Sequence, residues 1–105
     1  MKVHGIDLGA QSIRDFCQKW KVKELSVFGS VLRDDFAPES DLDFLADFEE
    51  DAEWDLSDVA EMREELGAIV DRKVDLLSRF ALNSSRNWLF RKIVLSSLET
   101  VYASR

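Results

Sequence analysis

One cysteine, one proline, one histidine and four glycines are all that this chain of 105 residues holds of those four types. With Cys17 alone, neither an internal disulfide nor a cysteine-based metal site can form, which excludes a disulfide-stapled secreted scaffold. So few glycines, with Pro38 as the sole proline, exclude a collagen-like repeat, a low-complexity linker and a disordered tail. No apolar run approaches the roughly 18 residues that a membrane span needs. The opening stretch MKVHGIDLGAQ has no signal-peptide hydrophobic region, so a cytoplasmic location is expected. No internal repeat, composition break or linker divides the chain. Residues 1–105 are expected to form one domain, long enough to bury roughly two-thirds of its unfolded surface.

What is present is 46% hydrophobic and 33% charged, with a net charge of −7 that is unevenly spread. Residues 1–33 hold six basic and three acidic groups, and residues 66–105 hold seven and three. Residues 34–65 hold Arg63 as their one basic group against fifteen acidic ones. A segment that acidic repels phosphate backbones, so an extended nucleic acid is not an expected ligand of that face. Most of Glu49–Asp58 reads as a solvated loop and helix face, which is compatible with a docking surface for a basic partner.

Ile13, Phe16, Cys17 and Trp20 follow the i, i+3, i+4, i+7 stripe of an amphipathic helix, and Cys17 belongs to that core face. Val22–Phe28 is a β-branched and aromatic run stopped by Gly29-Ser30, which reads as a strand and a turn. A short linking segment with Pro38 leads to a second strand over Asp41–Phe48. Val59, Met62, Leu66, Ile69 and Val70 take a helical period, with Ser57 as candidate N-cap. Lys73–Leu77 is a short third strand. Asn83-Ser84-Ser85 offers a further helix start before Trp88, Leu89, Ile93 and Val94, and Glu99–Tyr102 can close the sheet. This order predicts an α+β (layered α/β) fold, with helices packed on a small mixed sheet. His4 falls in an amino-terminal stretch expected to be mobile and receives no role. Trp54, set among Asp51, Glu53 and Asp55, is a candidate exposed interface anchor. Arg86, Arg91 and Lys92 are placed on the last long helix, as a solvated face or a contact for a partner or nucleotide.

The carboxylates carry the chemistry. Asp41 and Asp43, one residue apart on a strand, project from the same face and repel each other unless a cation lies between them. Asp75 opens the next strand; if the two strands are neighbours, three carboxylates converge at one edge of the sheet. Hard oxygen ligands of this kind suit Mg²⁺, often shared with substrate phosphates. Ahead of them, Gly29 permits close backbone approach, and a short helix opening at Ser30 would turn N–H groups toward an anion. Ser30 adds a hydroxyl and Arg33 a cation one turn on. A phosphate cradle beside metal carboxylates is what phosphoryl-type transfer needs.

Gly29-Ser30, ten intervening residues and then Asp41-x-Asp43 resemble the GS…DxD signature of the DNA polymerase β nucleotidyltransferase superfamily. The fuller string VFGSVLRDDFAPESDLDFL resembles its small stand-alone members, the minimal nucleotidyltransferases, and the likeness runs from the leading helix to Val101-Tyr102. That resemblance implies that Gly29 and Ser30 hold the triphosphate of an incoming nucleotide, and that Asp41 and Asp43 bind two Mg²⁺ ions. It implies that Asp75 completes the second metal site and helps activate the acceptor hydroxyl, which attacks the α-phosphorus and expels pyrophosphate. Arg33 matches the arginine of the family's GS-x-x-R-G-D stretch and Asp35 its aspartate, whereas Asp34 replaces the usual glycine. Minimal nucleotidyltransferases are often antitoxins of HEPN ribonuclease toxins, some of which they inactivate by transferring AMP from ATP to a tyrosine. The implied partner is therefore a HEPN-type ribonuclease in a hetero-oligomer, with no membrane involved.

Two other readings stand beside that one. An acidic antitoxin could neutralise a basic toxin by stoichiometric binding without catalysis. Nucleotidyl transfer to a small molecule, such as a polycationic aminoglycoside, would also suit an acidic cleft.

Overall fold

A computed structural model describes residues 2–34, 36–37 and 39–104. Asp35 and Pro38, singled out above, lie outside the described residues. The chain opens with a hairpin, β1 (Lys2–Val3) and β2 (Ile6–Asp7), where a mobile stretch was expected. His4 and Gly5 both have positive φ, 51° and 80°, the conformation that two-residue hairpin turns require. Helix α1 (Gln11–Lys19) buries Ile13, Phe16 and Cys17, the stripe the periodicity predicts.

Strand β3 (Val22–Phe28) runs into a single 3₁₀ turn, Gly29–Leu32, rather than an α-helix. Strand β4 (Leu42–Phe48) begins one residue later than expected, so Asp41 stands just ahead of it. Helix α2 (Leu56–Val70) is capped by Asp55 and not by Ser57. Asp55 Oδ1 accepts from the Asp58 N–H at 2.9 Å, and the Asp55 N–H donates to Asp58 Oδ2 at 3.0 Å. That reciprocal pair satisfies two amides of the helix end, which a serine two residues inside the cap cannot do. Strand β5 (Val74–Ser78) leads to short helix α3 (Arg79–Asn83) and then α4 (Trp88–Ser96). Asn87 caps α4 by accepting from the Phe90 N–H at 3.0 Å, so the helix starts later than Asn83–Ser85 suggested, and Arg86 precedes it. Strand β6 (Glu99–Ala103) is the predicted closing strand.

The four strands β3 to β6 form a mixed sheet in the order β5-β4-β3-β6, with β4 and β5 parallel and the other pairs antiparallel. The α+β fold class is thus borne out. Alternation along β4 sends Leu42, Phe44 and Ala46 into the main core with Phe16, Met62 and Leu66 of α1 and α2. Asp43 and Leu45 occupy the other face, where Leu45 packs with Leu82 of α3 and Val94 of α4. The candidate carboxylates Asp43 and Asp75 therefore lie on the face opposite the main core, at the end where β4 and β5 begin.

Candidate active site

Register places the first two components. Phe28, the last residue of β3, pairs with Asp43 of β4, so the backbone leaving β3 passes directly beside the Asp43 carboxylate. Gly29 makes that turn with φ +78°, a conformation that residues with a Cβ seldom adopt. A Cβ there would lie 2.7 Å from Asp43 Oδ2, so the glycine is required by space as well as by conformation. Ser30 follows, half-buried, and its carbonyl accepts from the Arg33 N–H at 3.0 Å. Arg33 lies exposed at the end of the turn.

The parallel pairing of β4 with β5 supplies the third component. Asp43 and Asp75 are directly opposed in that ladder, half-buried and exposed respectively, so the two strands are the neighbours that convergence requires. Burial, reinforced by the negative charges of Asp75 and then Asp41, holds the Asp43 carboxyl above the usual carboxylate range. Phe28, Asp43, Asp75, Leu76, Leu77 and Phe90 line a cavity of about 260 Å³. Gly29, Ser30, Arg33 and Asp41 do not line it; the first three belong to the turn that follows Phe28. Phe90 belongs to α4, and sequence reading missed it because nothing local to that helix says which strand end it will reach. Hollows of about 320 and 410 Å³ lie elsewhere, one against Trp54 and Phe80 and one between α1 and α2, and neither contains Asp41, Asp43 or Asp75.

Among the described residues, no three histidine, cysteine or acidic side chains form a ready-made cation cage. The donor set nevertheless fits Mg²⁺. Mg²⁺ keeps several waters and is usually held by one or two carboxylates plus substrate phosphates rather than by an all-protein cage. Asp43, whose carboxyl is raised by burial and then by the charges of Asp75 and Asp41, would be relieved by a divalent cation.

The remaining candidates separate clearly. Cys17 is fully buried, and burial pushes its thiol up to about 12, which makes it an inert core residue. Trp54 is not an exposed anchor. It is half-buried, its ring edge packs on Trp20 at 5.1 Å, and its Nε1–H donates to the Trp20 carbonyl at 2.9 Å. Glu50, Asp51, Glu53 and Asp55 are solvent-exposed, as a solvated acidic loop should be. On α4 the apolar residues Trp88, Leu89 and Ile93 are 64%, 51% and 57% exposed, on the helix whose Phe90 walls the cavity. No helix among the described residues is long and apolar enough to cross a membrane.

Comparison with known proteins gives the family and the fold. The family described as "Nucleotidyltransferase domain" matches residues 10–99. A protein of Methanocaldococcus jannaschii, provisionally named a protein adenylyltransferase, is 35% identical over 66 residues, which are 63% of this chain and 66% of that relative. The protein adenylyltransferase MntA of Thermococcus cleftensis is 35% identical over 71 residues, 68% of this chain and 70% of that one. A chain in the structure of tri-AMPylated Shewanella oneidensis HEPN toxin in complex with MNT antitoxin shares the fold. It superposes with a TM-score of 0.58 at 20% identity, covering 90% of this chain and 66% of that one.

Proposed function

Since the chain belongs to the nucleotidyltransferase-domain family, we propose that it transfers AMP from ATP to a hydroxyl of a protein partner, a HEPN ribonuclease toxin whose antitoxin it is. The observation that carries this reading is the placement of Gly29 against Asp43, with Asp75 directly across the ladder. It unites a backbone cradle for phosphate with a carboxylate pair at one strand edge. The names of the relatives, and the adenylylated toxin beside the structural neighbour, point to the same donor and the same class of acceptor.

In this mechanism Gly29 and Ser30 receive the triphosphate, because at Gly29 the backbone passes beside the Asp43 carboxylate with no side chain of its own in the way. Arg33, at the end of the same turn, offers positive charge to the outer phosphates. Asp41, Asp43 and Asp75 would hold two Mg²⁺ ions, which supply charge neutralisation at the attacked phosphorus and at the leaving oxygen. Asp75, exposed at the cavity, accepts the proton of the acceptor hydroxyl. That oxygen forms its new bond to the α-phosphorus, the bond from the α-phosphorus to the bridging oxygen breaks, and pyrophosphate carries away the electron pair. Phe28, Leu77 and Phe90 exclude water from one side of the cavity, which favours the partner's hydroxyl over hydrolysis.

A protein acceptor is favoured over a small one by α4. Trp88, Leu89 and Ile93 stand exposed next to the cavity, and from Leu76 to Leu98 the sequence has Arg79, Arg86, Arg91 and Lys92 and no acidic residue. A cationic small molecule would be repelled by that basic stretch. The direct test is a transfer assay in native-host lysate with α-labelled ATP and Mg²⁺, beside a folded Asp41→Asn/Asp43→Asn variant. A protein band labelled only by the wild type is expected, identified by mass as a HEPN ribonuclease. Label on a nucleic acid or small molecule would replace the acceptor. No label, with a partner co-purifying in both samples, would favour inhibition by binding alone.

A further inference from the structure

Asp41 stands outside the sheet ladder, yet the peptide groups on both sides of it are tied to consecutive residues at the exit of α2. The carbonyl of Ser40 accepts from Arg72 Nη1 at 3.0 Å, and the N–H of Leu42 donates to the carbonyl of Lys73 at 3.0 Å. Arg72 Nη1 also donates to the Ala37 carbonyl at 3.0 Å. That same oxygen accepts from the Ser40 N–H at 3.0 Å, closing a turn immediately before Asp41. One guanidinium therefore ties both ends of the turn. It also lies 4.5 Å from the centre of the Phe36 ring, which in turn contacts His4 at 5.0 Å.

The end of α2 is built to aim this side chain. Asp71 takes the left-handed conformation with φ +53°, and the Arg72 N–H returns to the Gly67 carbonyl at 3.0 Å. Gly67 suits the closeness of that return, since a Cβ there would make a tight contact of 3.1 Å with the Arg72 carbonyl oxygen. Arginine suits the position because its planar head presents several donors in a fixed arrangement and stacks on a ring, whereas lysine offers a compact point charge.

We propose that Arg72 is a positioning residue for Asp41, holding the Ala37 and Ser40 carbonyls so that the Asp41 carboxylate meets the same divalent cation as Asp43. The inference rests on the proposed reading of Asp41 as a cation ligand. Residues that orient a ligand from behind typically contribute about 10- to 100-fold to metal affinity.

Mn²⁺ titration of the full-length chain, followed by electron paramagnetic resonance with a non-hydrolysable ATP analogue, tests this without turnover. Arg72→Ala should weaken Mn²⁺ binding about tenfold. Asp41→Asn should weaken it as well, and the Arg72→Ala/Asp41→Asn double variant should bind no more weakly than Asp41→Asn alone, because Arg72 acts through Asp41. Wild-type affinity in Arg72→Ala, or additive losses in the double variant, would overturn the proposal. Should Arg72→Ala fail to give a cooperative melt, Arg72→Lys carries the test, and unchanged affinity there overturns it equally. Absence of Mn²⁺ binding by the wild type would instead remove the cation site itself, and this inference with it.

Discussion

Gly29 and Asp43 are fitted so closely that a single methyl group on the glycine would reach to 2.7 Å from Asp43 Oδ2. Gly29→Ala is therefore expected to act twice. The left-handed backbone at φ +78° costs an alanine about 1–2 kcal/mol. The Asp43 carboxylate must also swing away from residue 29 and out of its present position. A misplacement of about 1 Å at a reacting centre can lower turnover about 100-fold. The expected result is a protein that still melts cooperatively, a few degrees lower, with AMP transfer reduced about 100-fold. Wild-type transfer in a folded Gly29→Ala protein would remove the glycine from the phosphate cradle.

Asp43 carries a measurable cost before any cation arrives. Its carboxyl is raised by burial and by the charges of Asp75 and Asp41, so the folded chain holds that proton more tightly than the unfolded chain does. Stability then falls as pH rises through the window between the unfolded and folded values, and the deficit persists at neutral pH. Asp43→Asn removes the charge that bears this cost. Because the site is partly open to solvent, the gain should stay below about 1 kcal/mol, which is a few degrees in Tm for a domain of this size. Thermal melts in metal-free buffer should show Asp43→Asn above the wild type at pH 7, with the gap closing toward pH 4. The same variant should transfer AMP about 10²- to 10³-fold more slowly. A variant that melts below the wild type at pH 7 and above it at pH 4 would reverse the electrostatic argument.

The carboxylates were legible because their spacing is local: Asp41-x-Asp43 and a glycine at a strand end can be read without knowing what they face, although the strand begins only at Leu42 and leaves Asp41 ahead of it. The meeting of Asp43 with Asp75 was legible only on condition that two strands thirty-two residues apart were neighbours, and the β4–β5 pairing meets that condition. Phe90 and Arg72 were not legible. Phe90 reaches the cavity and Arg72 the turn before Asp41 from elements whose own pattern describes only their own helix or connection, and tertiary packing alone brings them there. Ser57 and Asp55 are both good capping residues by type, and the reciprocal bond with Asp58 decides between them.

Trp54 shows the opposite failure, a residue whose neighbours in sequence misdescribe its surroundings. Acidic residues flank it on both sides, yet the ring turns inward because the indole N–H finds the Trp20 carbonyl and the ring finds the Trp20 edge. Trp54→Ala should therefore behave as a partial core deletion and cost about 2 kcal/mol in denaturant unfolding. Transfer measured well below the new Tm should be unaffected. A loss of acceptor labelling with unchanged stability would return Trp54 to the role of an interface anchor.

Trp88 and Ile93 make the converse case. On α4 only Val94 is fully buried, while Trp88 and Ile93 are 64% and 57% exposed, so their truncation removes little that folding has placed away from water. Substitutions at such positions usually change stability by no more than about 0.5 kcal/mol. Their consequence should appear in docking instead, since the helix that carries them also places Phe90 against the cavity holding Asp43 and Asp75. Large apolar side chains at the centre of an interface each tend to contribute more than about 1 kcal/mol. Trp88→Ser/Ile93→Ser should accordingly keep the wild-type Tm and the wild-type affinity for Mg²⁺-ATP. It should raise the KM for the protein acceptor about tenfold or more, with kcat for the acceptor that does bind little changed. Equal KM in the two proteins would move the acceptor off this helix. Loss of nucleotide affinity together with acceptor affinity would mean that α4 supports the cavity rather than the partner.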